Sequence, residues 1–184
     1  MADTSSDKQL LNQKLIVEKI GARNKMKIAD FGCGSSGFFV FPLAQMVGRE
    51  GAVYAIDVKK DALDNIARTA RTNNLRQVKT IWSNLEIFNA TFIEPESIDV
   101  GLLINVLNQS SKRVEMIKEV MRMLKRHGKL LIVDWNSVNF ALGPISEHKV
   151  NIELLKSGLR RLGMKLEEEF VAGEYHYGLI FSKI

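Results

Sequence analysis

The chain has 184 residues, a formal net charge of +5 and a single cysteine. This length predicts one domain spanning 1–184, and the 46% hydrophobic content is enough for one substantial core. One cysteine excludes an intramolecular disulfide framework and a multi-cysteine zinc site, which favours a cytoplasmic location. The mild positive charge permits nucleic acid as a partner without indicating it, and no apolar stretch is long enough to predict a membrane span.

The first half of the chain shows alternating helix and strand patterns. Apolar residues at helical spacing predict an N-terminal helix near 8–20, which Gly21 ends. The elements that follow are a strand at 28–31, a helix at 38–47, a strand at 52–58, a helix that Asp61 caps and that ends near Asn73, and a strand at 78–82. Alternation of this kind predicts βαβ units with parallel strands.

The second half contains nearly continuous apolar runs, which are typical of strands covered on both faces. Its predicted elements are a strand at 98–106, a helix at 114–124, a strand at 129–133, a helix at 151–162, and a hairpin of 166–171 and 177–182 around the turn Ala172-Gly173-Glu174. On the first of these helices, Lys118, Arg122 and Lys125 lie opposite the apolar stripe, and a solvated face is the simplest interpretation. The pattern predicts a parallel sheet with helices on both faces and one antiparallel strand at the end.

A glycine-rich turn separates the first predicted strand from the next helix. It contains Gly32, Gly34 and Gly37, and glycines allow a ligand to approach the backbone closely. Asp57 follows about twenty residues later at the end of the second strand, where a carboxylate can accept hydrogen bonds from both hydroxyls of a ribose. The pattern predicts a nucleoside-binding site, and taken alone it fits nicotinamide and flavin dinucleotides as well.

The chain resembles the class I S-adenosylmethionine-dependent methyltransferases, specifically the small single-domain UbiE-like or type-11 branch. The resemblance rests on Asp30-x-Gly32-x-Gly34-x-x-Gly37 with Asp57, on Ile98-Asp99-Val100, and on the segment 124–128. It implies an α/β, doubly wound Rossmann-like sheet of seven strands in the order 3-2-1-4-5-7-6, with strand 7 antiparallel. The cofactor that it implies is S-adenosylmethionine, with S-adenosylhomocysteine as the product.

The resemblance also implies which residues bind the cofactor. By family position, Asp30 orients the turn, the backbone of Gly32, Cys33 and Gly34 lines the methionine moiety, Asp57 takes the ribose, Val58 packs on the adenine, and Asn105 lies near the amino group. Gly37 completes the turn, and Leu85 stands beside Asn84 after the third strand. Many relatives have an aspartate at the position of Asn84 that contacts the adenine amine, and an amide oxygen can accept the same hydrogen bond.

Residues near the ends of the fifth and seventh strands are candidates for acceptor binding and catalysis. His148 and His176 are the candidate bases, because the topology brings both to the ligand edge of the sheet, where we expect them to line one pocket. Trp135, Glu147 and Tyr175 are candidates for contacts with the acceptor. Packing or helix capping is the structural alternative for each of these five side chains.

The sequence thus predicts a methyltransferase with an unidentified, small-molecule acceptor. The alternatives are an RNA or protein methyltransferase, an NAD-dependent oxidoreductase, and a catalytically silent protein that binds the cofactor. RNA cytosine-C5 methylation through paired cysteines and arsenite methylation both require more thiols than Cys33 provides. A magnesium site of the catechol type is disfavoured, because only Asp134 is available after the fourth and fifth strands. The pattern gives no indication of oligomeric state.

Overall fold

A computed structural model of the chain describes residues 11–136 and 149–184. Seven strands form one sheet in the order β3-β2-β1-β4-β5-β7-β6. The strands are β1 (Lys27–Phe31), β2 (Ala52–Asp57), β3 (Val78–Trp82), β4 (Ile98–Ile104), β5 (Leu124–Trp135), β6 (Met164–Gly173) and β7 (His176–Lys183). Strand β7 is antiparallel to both β5 and β6, and the remaining pairs are parallel. The predicted strand order and the antiparallel last strand are confirmed.

Helices cover both faces of the sheet. They are α1 (Gln13–Ile20), α2 (Val40–Val47), α3 (Lys60–Thr72), a short 3-10 helix (Leu107–Gln109), α4 (Arg113–Met123) and α5 (Ile152–Arg161). Helices α1, α2 and α3 pack into one apolar layer, whereas α4 and α5 pack into the other. Successive side chains of a strand point to opposite faces, so Leu102 belongs to the first layer and Leu103 to the second. This arrangement explains why the central strands are continuously apolar.

Two helix starts differ from the prediction. Helix α1 begins at Gln13 rather than near residue 8, because the side chain of Asn12 caps it by accepting a hydrogen bond from the amide of Leu15 at 3.0 Å. Residues 1–10 lie outside the described part of the chain. Asp61 does not cap α3, since the N-cap is Lys59 and Asp61 lies in the first turn. There its carboxylate still favours the positive end of the helix dipole.

The last two strands are longer than predicted. Strand β6 continues through Gly173 and β7 begins at His176, so Glu174 and Tyr175 form the connection instead of Ala172-Gly173-Glu174. The pairing register shifts between Val171 and Gly173. This irregularity adds a residue to the strand, which a reading of turn residues alone does not reveal.

None of the helices in the described ranges has the length and apolar character that a membrane crossing needs. The same ranges contain no group of three or more histidine, cysteine, aspartate or glutamate side chains that is arranged to hold a metal ion.

Candidate functional site

The turn after β1 is held against the end of β2. The amides of Gly32 and Cys33 both donate to the carbonyl oxygen of Ile56, at 2.7 and 3.1 Å. Gly32 has a φ of +79°, and a Cβ atom at this position would lie 2.5 Å from Cγ2 of Val106. A side chain at position 32 is therefore disfavoured twice, by the left-handed backbone and by the contact with Val106.

Asp57 orients the turn. Its Oδ2 accepts a hydrogen bond from the amide of Gly34 at 2.9 Å, and its Oδ1 accepts one from the amide of Lys59 at 2.9 Å. Asp30, which the family position implies as the orienting residue, makes no hydrogen bond to the turn among the residues that the structure describes. The carboxylate at the end of the neighbouring strand does this work because β2 pairs with β1 and brings Asp57 beside the turn.

A cavity of about 530 Å³ lies on the β2 and β3 side of the turn. Six of the predicted cofactor-binding residues line it: Gly32, Gly34, Asp57, Val58, Asn84 and Leu85. Val58 is 54% exposed, which leaves an apolar surface open beside Asp57. The Oδ1 atom of Asn84 already accepts a hydrogen bond from the amide of Glu86 at 2.9 Å. The amide nitrogen of Asn84 thus adds a donor to the polar groups of this wall.

A second cavity of about 460 Å³ lies on the β4 side and shares Gly32 with the first. Three further predicted residues line it, namely Asp30, Cys33 and Asn105. The rest of its described lining is apolar and comes from Leu11, Phe38, Phe39 and Ile104. The two cavities flank the glycine turn at the carboxyl ends of β1 and β4, where the strand order reverses.

The side chain of Asp30 is buried in this second region, with 3% of its surface exposed. Burial, together with the nearby carboxylate of Asp57, raises the pKa of its carboxyl to about 7. No hydrogen bond from the described residues reaches the Asp30 carboxyl. A buried acid without donors is costly when it is charged, so the site favours a cationic ligand group next to Asp30.

Asn105 presents a second unsatisfied oxygen. Its backbone has a φ of +56°, and its amide donates to the carbonyl oxygen of Val133 at 2.8 Å. Its Oδ1 atom is buried and accepts no hydrogen bond from the part of the chain that the structure describes. Asp30 and Asn105 therefore place two oxygen acceptors in need of a donor in the cavity that adjoins Gly32.

The charges around both cavities are predominantly negative. Among their described lining residues are four carboxyl side chains, Asp30, Asp57, Asp61 and Glu86, and one lysine, Lys59. Such a lining favours a cationic ligand over one with a pyrophosphate.

Gly37 lies outside the described lining of both cavities, although it was a cofactor-binding candidate. Its φ is +65°, and a Cβ atom would lie 2.2 Å from the ring of Phe41. This glycine lets the turn pack closely on helix α2.

The acceptor-side candidates are only partly brought together. His176 is buried, and its ring centroid lies 4.3 Å from that of Trp135, its partner in the β5–β7 register. Tyr175 lies in the connection before β7, where its carbonyl oxygen accepts a hydrogen bond from the amide of Asn136 at 2.8 Å. These three residues are not among the described residues that line the two cavities. His148 and Glu147 lie outside the described residues, so the expected shared pocket of the two histidines stays a prediction.

Asp134 has a role that the sequence did not indicate. Its Oδ1 accepts a hydrogen bond from Nδ2 of Asn108 at 2.8 Å, and its Oδ2 accepts one from the amide of Asn108 at 3.1 Å. These bonds anchor the 3-10 helix Leu107–Gln109 to the end of β5, and this helix carries Gln109 into the lining of the first cavity. The contact is not visible in the sequence because the two partners lie 26 residues apart.

Residues 22–170 match a family model that is described as a methyltransferase domain. The chain belongs to this methyltransferase family. The predicted resemblance to methyltransferases is thereby confirmed. Arsenite methyltransferase from Mus musculus is 28% identical over 131 residues, which is 67% of this chain and 34% of the mouse protein. The chain thus spans about a third of the length of the curated relative that it matches.

Solved structures share the fold. A methyltransferase from Aquifex aeolicus that depends on S-adenosylmethionine has a TM-score of 0.84 at 21% identity, covering 99% of this chain and 95% of the other. A protein of Sulfolobus solfataricus described as a type 11 methyltransferase has a TM-score of 0.75 at 24% identity, covering 96% of this chain and 95% of the other. The [4+2]-cyclase SpnF has a TM-score of 0.77 at 15% identity, with coverages of 93% and 79%. The same architecture therefore occurs in a protein named for a different reaction.

The geometry of the turn predicts the effect of Gly32→Ala. The new methyl group would collide with Val106 and would occupy the boundary between the two cavities, so affinity for S-adenosylhomocysteine should fall at least tenfold in calorimetric titration. Gly21→Ala is the matched control, because Gly21 also has a left-handed φ of +63°, but a Cβ atom added there would have no atom within 4 Å. Equal affinities of the two variants would contradict this assignment of Gly32.

Proposed function

We propose that this chain transfers a methyl group from S-adenosylmethionine to a small molecule other than arsenite. The observation that carries the proposal is the buried carboxyl of Asp30, to which no described residue donates a hydrogen bond, together with the unsatisfied Oδ1 of Asn105 in the cavity that adjoins Gly32. The ammonium group of the cofactor can donate hydrogen bonds to a buried carboxyl and to an amide oxygen that lack donors, and the positive charge of its sulfonium group suits the same acidic region. A dinucleotide would instead bring a pyrophosphate to an acidic lining.

The proposed placement of the cofactor follows from the two cavities. The adenosine half would occupy the cavity at Asp57, Val58 and Leu85, with the exposed side chain of Val58 against the adenine. The methionine half would pass over Gly32 to Asp30 and Asn105. Asp57 would accept hydrogen bonds from the ribose while it also holds the amide of Gly34. A carboxylate has enough lone pairs for both tasks.

The bound cofactor supplies an activated methyl group on a good leaving group, so the protein's main contribution is alignment and exclusion of water. The apolar part of the second cavity, at Leu11, Phe38 and Phe39, is suited to exclude water from the reacting groups. A base is needed only when the acceptor must lose a proton.

Arsenite is a poor acceptor for this chain, although the curated relative is named for it. The chain has one cysteine, Cys33. Burial raises the pKa of its thiol far above the usual value, and Asp30 and Asp57 raise it further. A protonated, solitary thiol is a weak ligand for arsenic, because the thiolate is the reactive form. This reasoning supports a different small molecule.

An RNA acceptor receives little support from Lys118 and Arg122 of α4 or from Lys125 at the start of β5. The sequence predicted a solvated face for Arg122, and this prediction is wrong. Arg122 pairs with the buried Glu119 at 2.9 Å. Lys125 pairs with Asp99 at 2.6 Å. Of the three basic residues, Lys118 alone remains exposed without a described partner.

Ligand-induced stabilisation tests the cofactor class. S-adenosylmethionine and S-adenosylhomocysteine should raise the melting temperature of the chain, because a ligand that binds only the native state stabilises it by mass action. NAD and FAD at the same concentration should not, since their pyrophosphates would meet the acidic lining. Larger shifts with NAD, measured by differential scanning fluorimetry, would overturn the proposal.

The raised pKa of Asp30 predicts a pH-dependent affinity. Below about pH 7 the free protein holds a proton on Asp30, and an ammonium group beside it favours the ionised form, so binding must release that proton. Affinity for S-adenosylhomocysteine should therefore rise about tenfold or more from pH 5.5 to pH 8 and level off above the pKa.

Two controls isolate this effect. The variant Asp30→Asn should remove most of the pH dependence, because it removes the titrating group. Methylthioadenosine, which lacks the ammonium, should show little pH dependence with the unaltered protein. An equally steep dependence for both ligands would place the titrating group elsewhere.

His176 is the proposed base among the described residues, on the grounds that β7 brings it to the ligand edge of the sheet and that Trp135 packs against its ring. Transfer of labelled methyl groups into fractions of a cell extract would first identify the acceptor. His176→Gln should then lower turnover by about 10²-fold with cofactor affinity nearly unchanged. His127→Gln is the control, because His127 is exposed before Gly128 at the opposite sheet edge. Full turnover of His176→Gln would exclude this base.

A further inference from the structure

Helix α4 contains a buried ion pair whose position the proposed chemistry does not explain. The side chain of Glu119 has no exposed surface, and that of Arg122 is 10% exposed. Nε and Nη2 of Arg122 donate to the two carboxylate oxygens of Glu119, each at 2.9 Å. A bidentate pair of this kind has a fixed geometry.

The pair binds the backbone of the segment that follows β3. Glu119 accepts hydrogen bonds from the amides of Asn89 and Thr91, at 2.7 and 3.0 Å. Arg122 donates to the carbonyl oxygens of Thr91 and Ile93, both at 2.9 Å. Although burial opposes the ionisation of Glu119, the bonds from Arg122 and the amides outweigh it and hold its pKa below the usual value. Glu119 is thus a charged anchor for residues 89–93.

Apolar packing contributes little to holding the same segment. Ile87 and Phe88 are more than half exposed, and Phe92 is 92% exposed. Only Leu85 and Ile93, near its ends, are buried in the core. The polar contacts of Glu119 and Arg122 therefore fix the middle of the segment.

Thr91 connects this anchor to the cavity. Its hydroxyl lies 2.9 Å from the hydroxyl of Ser83, and both side chains are buried. Ser83 lines the 530 Å³ cavity together with its neighbours Asn84 and Leu85. A continuous set of hydrogen bonds thus runs from Glu119 through Thr91 to the cavity wall.

We infer that Glu119 and Arg122 are positioning residues that set the adenosine-binding wall through the Thr91–Ser83 hydrogen bond. The inference rests on the proposed placement of adenosine in this cavity. It predicts that loosening the anchor weakens contacts with the adenosine half of the ligand and leaves contacts with the methionine half unchanged.

The first test uses Glu119→Gln. A glutamine keeps the size of the side chain but turns an NH2 group toward donors, so at least one anchor bond must break. Affinities for S-adenosylhomocysteine and methylthioadenosine should both fall by the same factor of about ten in calorimetric titration, a loss typical of one hydrogen bond. Glu115→Gln is the matched control, because Glu115 is exposed on the same helix, and it should bind both ligands normally.

The second test uses Thr91, and it decides the question even if Glu119→Gln does not fold. Thr91→Val removes the hydroxyl with little change in shape, whereas Thr91→Ser retains it. Thr91→Val should weaken both ligands about tenfold, and Thr91→Ser should bind them as the unaltered chain does. A merely structural role would lower the melting temperature of Thr91→Val and leave its affinity for both ligands unchanged.

The outcomes distinguish a failure of the positioning role from a failure of the proposed function. If the unaltered chain binds neither ligand, the proposed function fails. If it binds both, and Thr91→Val and Glu119→Gln bind as tightly as their controls, the positioning role is overturned while the proposed function stands.

Discussion

The site depends on the close approach of three backbone segments at the centre of the sheet. β1 lies between β2 and β4, and the chain leaves β1 at the point where the strand order reverses. There the carbonyl of Ile56 accepts two amides of the turn from one side, while Val106 closes on Gly32 from the other. A larger residue at position 32 would separate these segments. The two cavities exist because the turn is both narrow and firmly held.

Some polar groups at and beside the turn stabilise the fold, whereas others are available to bind a ligand. Ile56 accepts hydrogen bonds from the amides of Gly32 and Cys33, and Asp57 accepts one from the amide of Gly34. At the carboxyl ends of the adjacent strands β1 and β4, the carboxyl of the buried Asp30 receives no hydrogen bond from a described residue, and the Oδ1 of Asn105 is buried without a donor among those residues. Unsatisfied buried oxygens cost stability, and they commonly occur where a ligand supplies the missing donors.

The sequence predicted the sheet because continuous apolar strands and glycine-ended helices are local signals. The positions of Gly32 and Asp57 followed from the turn and from the end of β2, whereas the family resemblance implied Val58. The bond between Asp57 and the Gly34 amide could not be derived from the pattern, because it depends on the packing of residues 23 positions apart. The same holds for Asp134, which looked like an isolated carboxylate but anchors the 3-10 helix through Asn108.

The predicted solvent exposure of Arg122 was wrong for a specific physical reason. Helical periodicity placed Arg122 opposite the apolar stripe, a position that is normally solvated. Periodicity does not show that the segment after β3 folds over this face, nor that Glu119 within the buried stripe supplies a counter-charge. A glutamate among apolar positions with an arginine three residues later is the signal that was available, because a buried carboxylate requires a partner.

The reaction itself depends on parts of the molecule other than the glycine turn. The [4+2]-cyclase SpnF shares the architecture of this chain, which means that the sheet and its strand order do not select a reaction. The turn and the cavity at Asp57 are suited to hold a nucleoside, whatever acceptor is present. Under the proposed function, selectivity would come from groups on the β4, β5 and β7 side, where Phe38 and Phe39 line an apolar cavity and Trp135 packs on His176. Since these side chains are aromatic or apolar, an acceptor with a substantial apolar surface suits this side better than a small inorganic ion.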